Sequence, residues 1–446
     1  MKKLIFILIC SLFAFYSCDR AITTIVRHNT STLTDAEKIV GLSIVWIEAK
    51  YNFVYFDQLT LDWDSLFQAT IPKVLATQND FEYFRALRRF VAQLQDGHTS
   101  VWWCWTRNDL WASWTPLPIE TRLIDGKMII TEVHDNRLKR RNNIRQGLEI
   151  IKINGTDVHE YVATYIKPYI NSSTEQWLNF RAYSREATSG NISESVLLTL
   201  RDENNQIFES RVLRTWASHN PPPRPLFEFT LLEHNIGLLR IDDFFRENFT
   251  GLFAEVYDKI LATDALIIDL RDNLGGNTNN AVYVLSHFTD ETFQIFDYWM
   301  SLGYVPARAS WGQPREWVTD EWTVYQPVEN RPIYNRPIAV LINEGTFSTA
   351  EDFCIGFRHI NNGLIIGTPS GGSTGNPHFI PFPFGGGVQF CSLKSTNPKG
   401  IEYIGIGILP DIEVRETVSS FFARTESGAD NTNAVRKAIE ILKGKL

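Results

Sequence analysis

A serine hydroxyl becomes a useful nucleophile only when one group takes its proton and others hold the negative charge that develops during attack. The run Ile338-Ala339-Val340-Leu341-Ile342 reads as a buried strand, Asn343 to Phe347 as a turn, and the periodic run Ala350 to His359 as a helix. Ser348 then sits where unpaired N–H groups and the positive end of a helix dipole converge, which suits a nucleophile, although an N-cap serine is the commoner use of such a position. A second strand, Ala265 to Leu270, runs into Arg271-Asp272-Asn273-Leu274-Gly275-Gly276. Two glycines past a strand let bare N–H groups face a ligand with no Cβ in the way. Asp96-Gly97-His98-Thr99 lies just past a helix C-terminus, where side chains face a cleft rather than a core. His159-Glu160 lacks the second histidine of a zinc-protease motif, and no Cys/His cluster has ligand spacing, so neither metal nor cofactor is expected.

The elements that must position these residues change character along the chain. Asp35 to Lys50 and Trp63 to Ala76 read as helices, and Phe84, Leu87, Val91 and Leu94 repeat as one buried helical face. Asn79 and Glu82 fit a capping box at the start of that third helix, and Asp96-Gly97 fits its stop. From Pro116 the pattern turns to strands, Ile119 to Ile124 and Met128 to Val133 around an Asp125-Gly126 turn. Gly147 to Gly155 and a helix near Val158 to Ile166 follow. Ser218 to Pro225 is a stiff proline-rich connector and the clearest boundary. Beyond it, Ile236 to Ile241, a helix over Gly251 to Ala262, Ala265 to Leu270 and Ile338 to Ile342 alternate as in an α/β sheet buried on both faces. The aromatic run Trp102-Trp103-Cys104-Trp105, with Trp111 and Trp114, reads first as packing of a loop onto the core and second as a cleft wall.

A chain of 446 residues has room for roughly two to four domains. Its net charge of −8 argues against a nucleic-acid partner, because phosphate binding needs a basic face. Lys2 and Lys3, the apolar run Leu4 to Phe15 and then Ser17-Cys18 read as a secretory signal. Cys18 after small Ser17 resembles a lipobox, so the expectation is removal of residues 1–17, lipid on Cys18 and a cell-envelope location, periplasmic or on the outer membrane. Cys104, Cys354 and Cys391 then remain, an odd number too scattered for a disulfide framework.

Three ordered blocks resemble the C-terminal processing (tail-specific) serine peptidase family: Ala265 to Gly276, Ile338 to Glu351, and Gly405-Ile406-Gly407-Ile408-Leu409-Pro410-Asp411-Ile412. The resemblance spans about residues 226–416 and implies that Ser348 is the nucleophile. In the bacterial processing branch the base is a lysine 25 residues later, but Ser373 stands there. The tricorn-like branch uses a histidine from the helical region instead, and the segment around His98 resembles that motif; imidazole titrates near pH ~6.5 and suits the role. The same resemblance implies an oxyanion hole from the N–H groups of Gly275 or Gly276 and Thr349. Tricorn-like sites also carry a supporting glutamate, whose position here is Ile404; Glu402, two residues earlier and on the same face of an expected strand, is the candidate substitute. They further have a serine where this chain has Gly97.

The run Gly147 to Gly155 with its following helix resembles a PDZ domain, a peptide-capturing module. The expected architecture is thus an α/β catalytic core of ClpP/crotonase-like type over 226–446, a helical subdomain over 18–115 and an inserted PDZ-like β-rich domain over 116–217. The expected function is exported serine-type endopeptidase acting on unstructured tails or peptides, with the membrane reached through the lipid at Cys18. The alternative is a member that has lost turnover and binds peptides or apolar ligands in the envelope.

Overall fold

The computed structural model describes residues 32–103, 107–215, 224–360, 363–373, 375–396 and 402–446. The signal run, Cys18, Cys104, Trp105 and most of the connector at 218–225 lie outside the described residues.

Three helices open the described chain, Asp35–Asn52, Trp63–Leu75 and Asp80–Val91. The third starts as expected, with the Asn79 side chain accepting from the Glu82 N–H at 2.9 Å. Glu82 reaches back to the N–H of Gln78 rather than Asn79, so only half of the capping box forms. Leu42, Val45, Phe84, Leu87 and Val91 bury their faces together with Trp63, which stacks on Phe90. The helical path ends at Gln95, whose left-handed backbone (φ 52°) turns the chain toward β1 (Ser100–Trp102).

The next unit is a six-stranded sheet. Its strands are β2 (Ile119–Ile124), β3 (Lys127–Val133), β4 (Glu149–Ile153), β5 (Thr156–Asp157), β6 (Ser195–Arg201) and β7 (Ile207–Leu213), in the order β2-β3-β4-β6-β7 with β5 beside β4. Asp125 and Gly126 both have positive φ, as a two-residue hairpin requires. Helices Val158–Tyr165 and Glu175–Ala182 cover this sheet, and Met128, Ile130, Leu148, Ile150 and Val162 are buried between them.

The large sheet has the order β18-β14-β13-β10-β9-β8, built from β8 (Phe227–Leu231), β9 (Ile236–Ile241), β10 (Ala265–Asp269), β13 (Ile338–Ile342), β14 (Leu364–Gly367) and β18 (Ile412–Glu413). All its pairings are parallel except β8 with β9. β10 and β13 are buried at every residue because both faces are covered. On one side lie Phe249–Leu261, Thr278–Leu285 and Thr349–Ile360; on the other lies Asn433–Lys443. This two-sided burial is why the strands read as unbroken apolar runs.

Two small sheets join the units. β11 (Tyr298–Tyr304) pairs with β12 (Arg315–Glu321) and with β17 (Lys394–Thr396). β15 (Pro377–Pro381) pairs with β16 (Gly387–Cys391), and β16 pairs with β1 in the register Ser100↔Gln389. That last pairing carries the end of the helical unit onto the large α/β unit.

Candidate active site

Ser348 has φ 58°, in the left-handed region, at the corner between β13 and the helix Thr349–Ile360. A non-glycine residue there costs on the order of 1–3 kcal/mol and persists only where the surroundings hold it. Here the Ser348 N–H is gripped twice, by the Ser373 carbonyl at 3.2 Å and the Glu351 carboxylate at 3.0 Å. On the near side Gly275 packs so closely that a Cβ on it would stand 2.7 Å from the Ser348 Cβ and 2.8 Å from the Thr349 nitrogen.

The segment before those glycines is tied down in turn. The Asn273 carbonyl accepts from the Phe347 N–H at 2.9 Å, and the Asn273 side chain bridges the Gly275 N–H and the Ile241 carbonyl. Asp272 accepts from Arg122 and Asn343. Burial opposes its ionisation, yet Arg122 and Arg240 hold its carboxyl well below the usual range.

His98 comes in from the opposite side. The Asp96 carboxylate accepts from the N–H groups of His98 (3.0 Å) and Thr99 (2.7 Å), and the Gln389 side chain donates to the His98 carbonyl at 2.6 Å. The ring stacks on Phe347, and Phe347 stacks on Trp177, so residues from all three units meet in one column. The imidazole lies between two hydroxyls, with Nε2 2.9 Å from Ser348 Oγ and Nδ1 2.8 Å from Ser373 Oγ. For Nε2 to accept the Ser348 proton, Nδ1 must carry the ring hydrogen and donate it to Ser373. Burial pushes the His98 pKa down to about 4, so the ring is neutral at pH 7 and can act as a proton acceptor.

Ser373 was visible in the sequence only as the place where a lysine is missing. The structure gives it a use, and also explains Gly97. A Cβ at position 97 would lie 3.0 Å from the Phe347 ring and 3.1 Å from the Ser373 Cβ, so Ser373 fills the space that a side chain there would need.

Glu402 does not meet this group. Its segment is irregular with a turn over 404–406 rather than a strand, and its carboxylate pairs with Lys394. The expected support therefore has to be corrected: the contact with His98 Nδ1 belongs to Ser373, and the buried carboxylate beside Ser348 belongs to Glu351. Glu351 accepts from the N–H groups of Ser348, Gly372 (2.7 Å) and Ser373 (3.1 Å) and from the Ser370 hydroxyl. Burial raises its pKa to about 8 in spite of those donors. The sequence did carry a signal for it, since Ser348-x-x-Glu351 is the spacing of a capping box.

The Gly-x-Gly-x-x-Pro-Asp block acts from behind. Ser370 accepts from the Ile408 N–H at 2.6 Å while donating to Glu351, and Asp411 accepts from the Ile365 N–H at the start of β14. The oxyanion expectation also sharpens. The Gly275 N–H is taken by Asn273 at 2.9 Å, which leaves the N–H groups of Gly276 and Thr349, neither with an acceptor among the described residues. Among those residues no group of three His, Cys, Asp or Glu side chains is arranged to hold a metal ion.

Residues 235–414 match the model of peptidase family S41. A carboxy-terminal-processing protease of Bartonella bacilliformis is 29% identical over 190 residues, which are 42% of this chain and 40% of that protein. The chain thus spans well under two thirds of that relative. Among solved structures, mature CPAF complexed with lactacystin superposes with a TM-score of 0.68 at 17% identity, over 92% of this chain and 97% of that one. The photosystem II D1 C-terminal processing protease gives 0.52 at 17% identity, over 90% and 99%. At such identities the structural likeness speaks for the fold alone. The chain is a homologue of serine-type peptidases.

Proposed function

We propose that this homologue of serine-type peptidases cleaves polypeptides by acyl transfer, with Ser348 as nucleophile and His98 as general base. The observation that carries the reading is the His98 ring held between Ser348 Oγ and Ser373 Oγ at 2.9 and 2.8 Å. His98 Nε2 takes the hydroxyl proton as Ser348 Oγ attacks the carbonyl carbon. The Nδ1–H stays on the Ser373 hydroxyl, which fixes the tautomer. The negative charge on the carbonyl oxygen falls between the N–H groups of Gly276 and Thr349; one such donor is worth about 3–4 kcal/mol of barrier. Protonated His98 then gives its proton to the leaving amine, and water, activated in the same way, releases the acyl group from Ser348.

The finer points belong to the same proposal. A histidine base with a hydroxyl partner favours the tricorn-like manner of catalysis over a lysine base. The sheet β2–β7 with helix Val158–Tyr165 is read as the PDZ-like, peptide-capturing unit, and the large sheet as the ClpP/crotonase-like core. Unstructured tails or peptides of exported proteins are the proposed substrates, reached by a chain anchored in the cell envelope through lipid on Cys18.

A fluorophosphonate probe tests the chemistry directly. It is expected to label Ser348 in the wild type and to leave Ser348→Ala unlabelled. A folded wild-type protein that neither reacts with the probe nor cuts any peptide of an unstructured library would overturn the peptidase reading in favour of ligand binding without turnover.

A further inference from the structure

A cavity of about 520 Å³ opens beside Ser348 and is bordered by Gly276 and Thr349, the residues proposed above to hold the oxyanion. A side chain flanking the bond under attack has this space next to it. Four aromatic rings line it, those of Phe296, Trp299, Trp322 and Tyr325. Phe296 and Trp322 meet edge to face at 4.8 Å, which fixes one wall. The ionisable groups in the lining, apart from Tyr325, are two carboxylates, Asp352 and Glu321, and among the described residues no lysine, arginine or histidine lines it.

The two acids sit at different depths. Asp352 is buried one turn into the helix Thr349–Ile360, where it accepts from the Tyr403 hydroxyl at 3.0 Å and Thr278 Oγ1 at 3.3 Å. Glu321 stands exposed at the end of β12, at the rim. Aromatic faces attract a cation through their quadrupoles, and a carboxylate at the end of the aromatic corridor adds a charge-assisted hydrogen bond. An acidic side chain, or the free carboxylate of a chain end, would meet two like charges.

From this we propose that the cavity is the specificity pocket of the reaction and selects a lysine or arginine side chain next to the bond that is cut. The alkyl stem would lie along the tryptophan faces, with the cationic head toward Asp352. The inference rests on Ser348 being the nucleophile, and it restricts cleavage to internal basic positions rather than to a carboxyl terminus.

The test separates binding from turnover. Fluorescein-labelled peptide pools, randomised except for one position fixed as Arg, Leu or Glu, are titrated into Ser348→Ala and followed by anisotropy. The Arg pool is expected to bind at least tenfold tighter than the Glu pool and several-fold tighter than the Leu pool. Asp352→Asn in the same background should cut the affinity for the Arg pool about tenfold while changing that for the Leu pool less than twofold. Because Asp352 also anchors Tyr403 and Thr278, the exposed-rim variant Glu321→Gln provides a second measurement that does not depend on the fold, with an expected two- to threefold loss for the Arg pool alone. Tightest binding of the Leu pool, or no response to either variant, overturns the pocket assignment. Mapping wild-type cut sites by mass spectrometry reads turnover independently of binding: cuts beside apolar residues but not basic ones defeat the inference and spare the peptidase reading. Arg-selective binding with no cuts in any pool defeats the peptidase reading and spares the pocket chemistry.

Discussion

Ser373→Ala removes one oxygen atom and should slow the reaction without touching the nucleophile or the base. In the wild type the His98 Nδ1–H has one acceptor among the described residues, Ser373 Oγ at 2.8 Å, and both residues are buried. Without it the ring hydrogen on Nδ1 has no partner, and an unsatisfied buried donor costs about 1–3 kcal/mol. That cost falls on the one tautomer that can accept the Ser348 proton. The alternative tautomer, with hydrogen on Nε2, presents a donor to Ser348 and cannot act as base. If the whole penalty reaches the transition state, kcat/KM falls by about fivefold to 150-fold, with KM unchanged because Ser373 is not exposed to substrate. Phosphonylation of Ser348 needs the same proton transfer, so its second-order rate should fall by the same factor. Ser373→Cys, which keeps a weak acceptor, should lie between the two. Should folded Ser373→Ala retain both rates within twofold, the hydroxyl does not set the tautomer and the argument is wrong.

Other consequences follow from the same geometry. Since burial lowers the His98 pKa to about 4, the base stays neutral as pH falls from 7, and kcat/KM should hold until roughly pH 5 and decline below it; a midpoint near 6.5 in the pH profile would contradict this. Above its pKa of about 8 Glu351 is a carboxylate on which four donors converge, so in that pH range Glu351→Gln is expected to create at least one N–H···H–N clash, with a loss of about 1–3 kcal/mol in unfolding free energy by urea titration and slower labelling of Ser348. Glu402→Gln should leave turnover within twofold and stability within about 1 kcal/mol, because a partly exposed pair with Lys394 contributes little; a tenfold loss of kcat would restore Glu402 to the site. Intact-mass analysis of the membrane fraction should find a mature chain that begins at lipidated Cys18, and an unlipidated chain with a different start would remove the anchor.

The sequence by itself determined the parts that are local. β10 and β13 were legible as continuous apolar runs because a strand covered on both faces has no polar side to show. Ser348 and the Gly275-Gly276 turn were legible because a strand, a sharp corner and a helix leave their marks within a dozen residues. His98 could be named from its motif, but nothing in the chain between it and Ser348 fixes the distance between them. That was decided when β1 paired with β16 and brought the His98 ring onto Phe347.

The partners of the His98 ring were decided in the same way. Counting forward from Ser348 reached Ser373 and found only a missing lysine, since a count gives no direction to a side chain. Counting back from Pro410 reached Glu402 on the assumption of a strand, where the chain instead makes a turn and the glutamate finds Lys394. Gly275 and Gly276 look alike in the sequence, and only the capture of the Gly275 N–H by Asn273 tells them apart. Local sequence sets backbone conformation and which residue types are on hand; which hydroxyl meets which ring nitrogen depends on contacts between residues hundreds of positions apart, and those exist only once the separate cores have packed against one another.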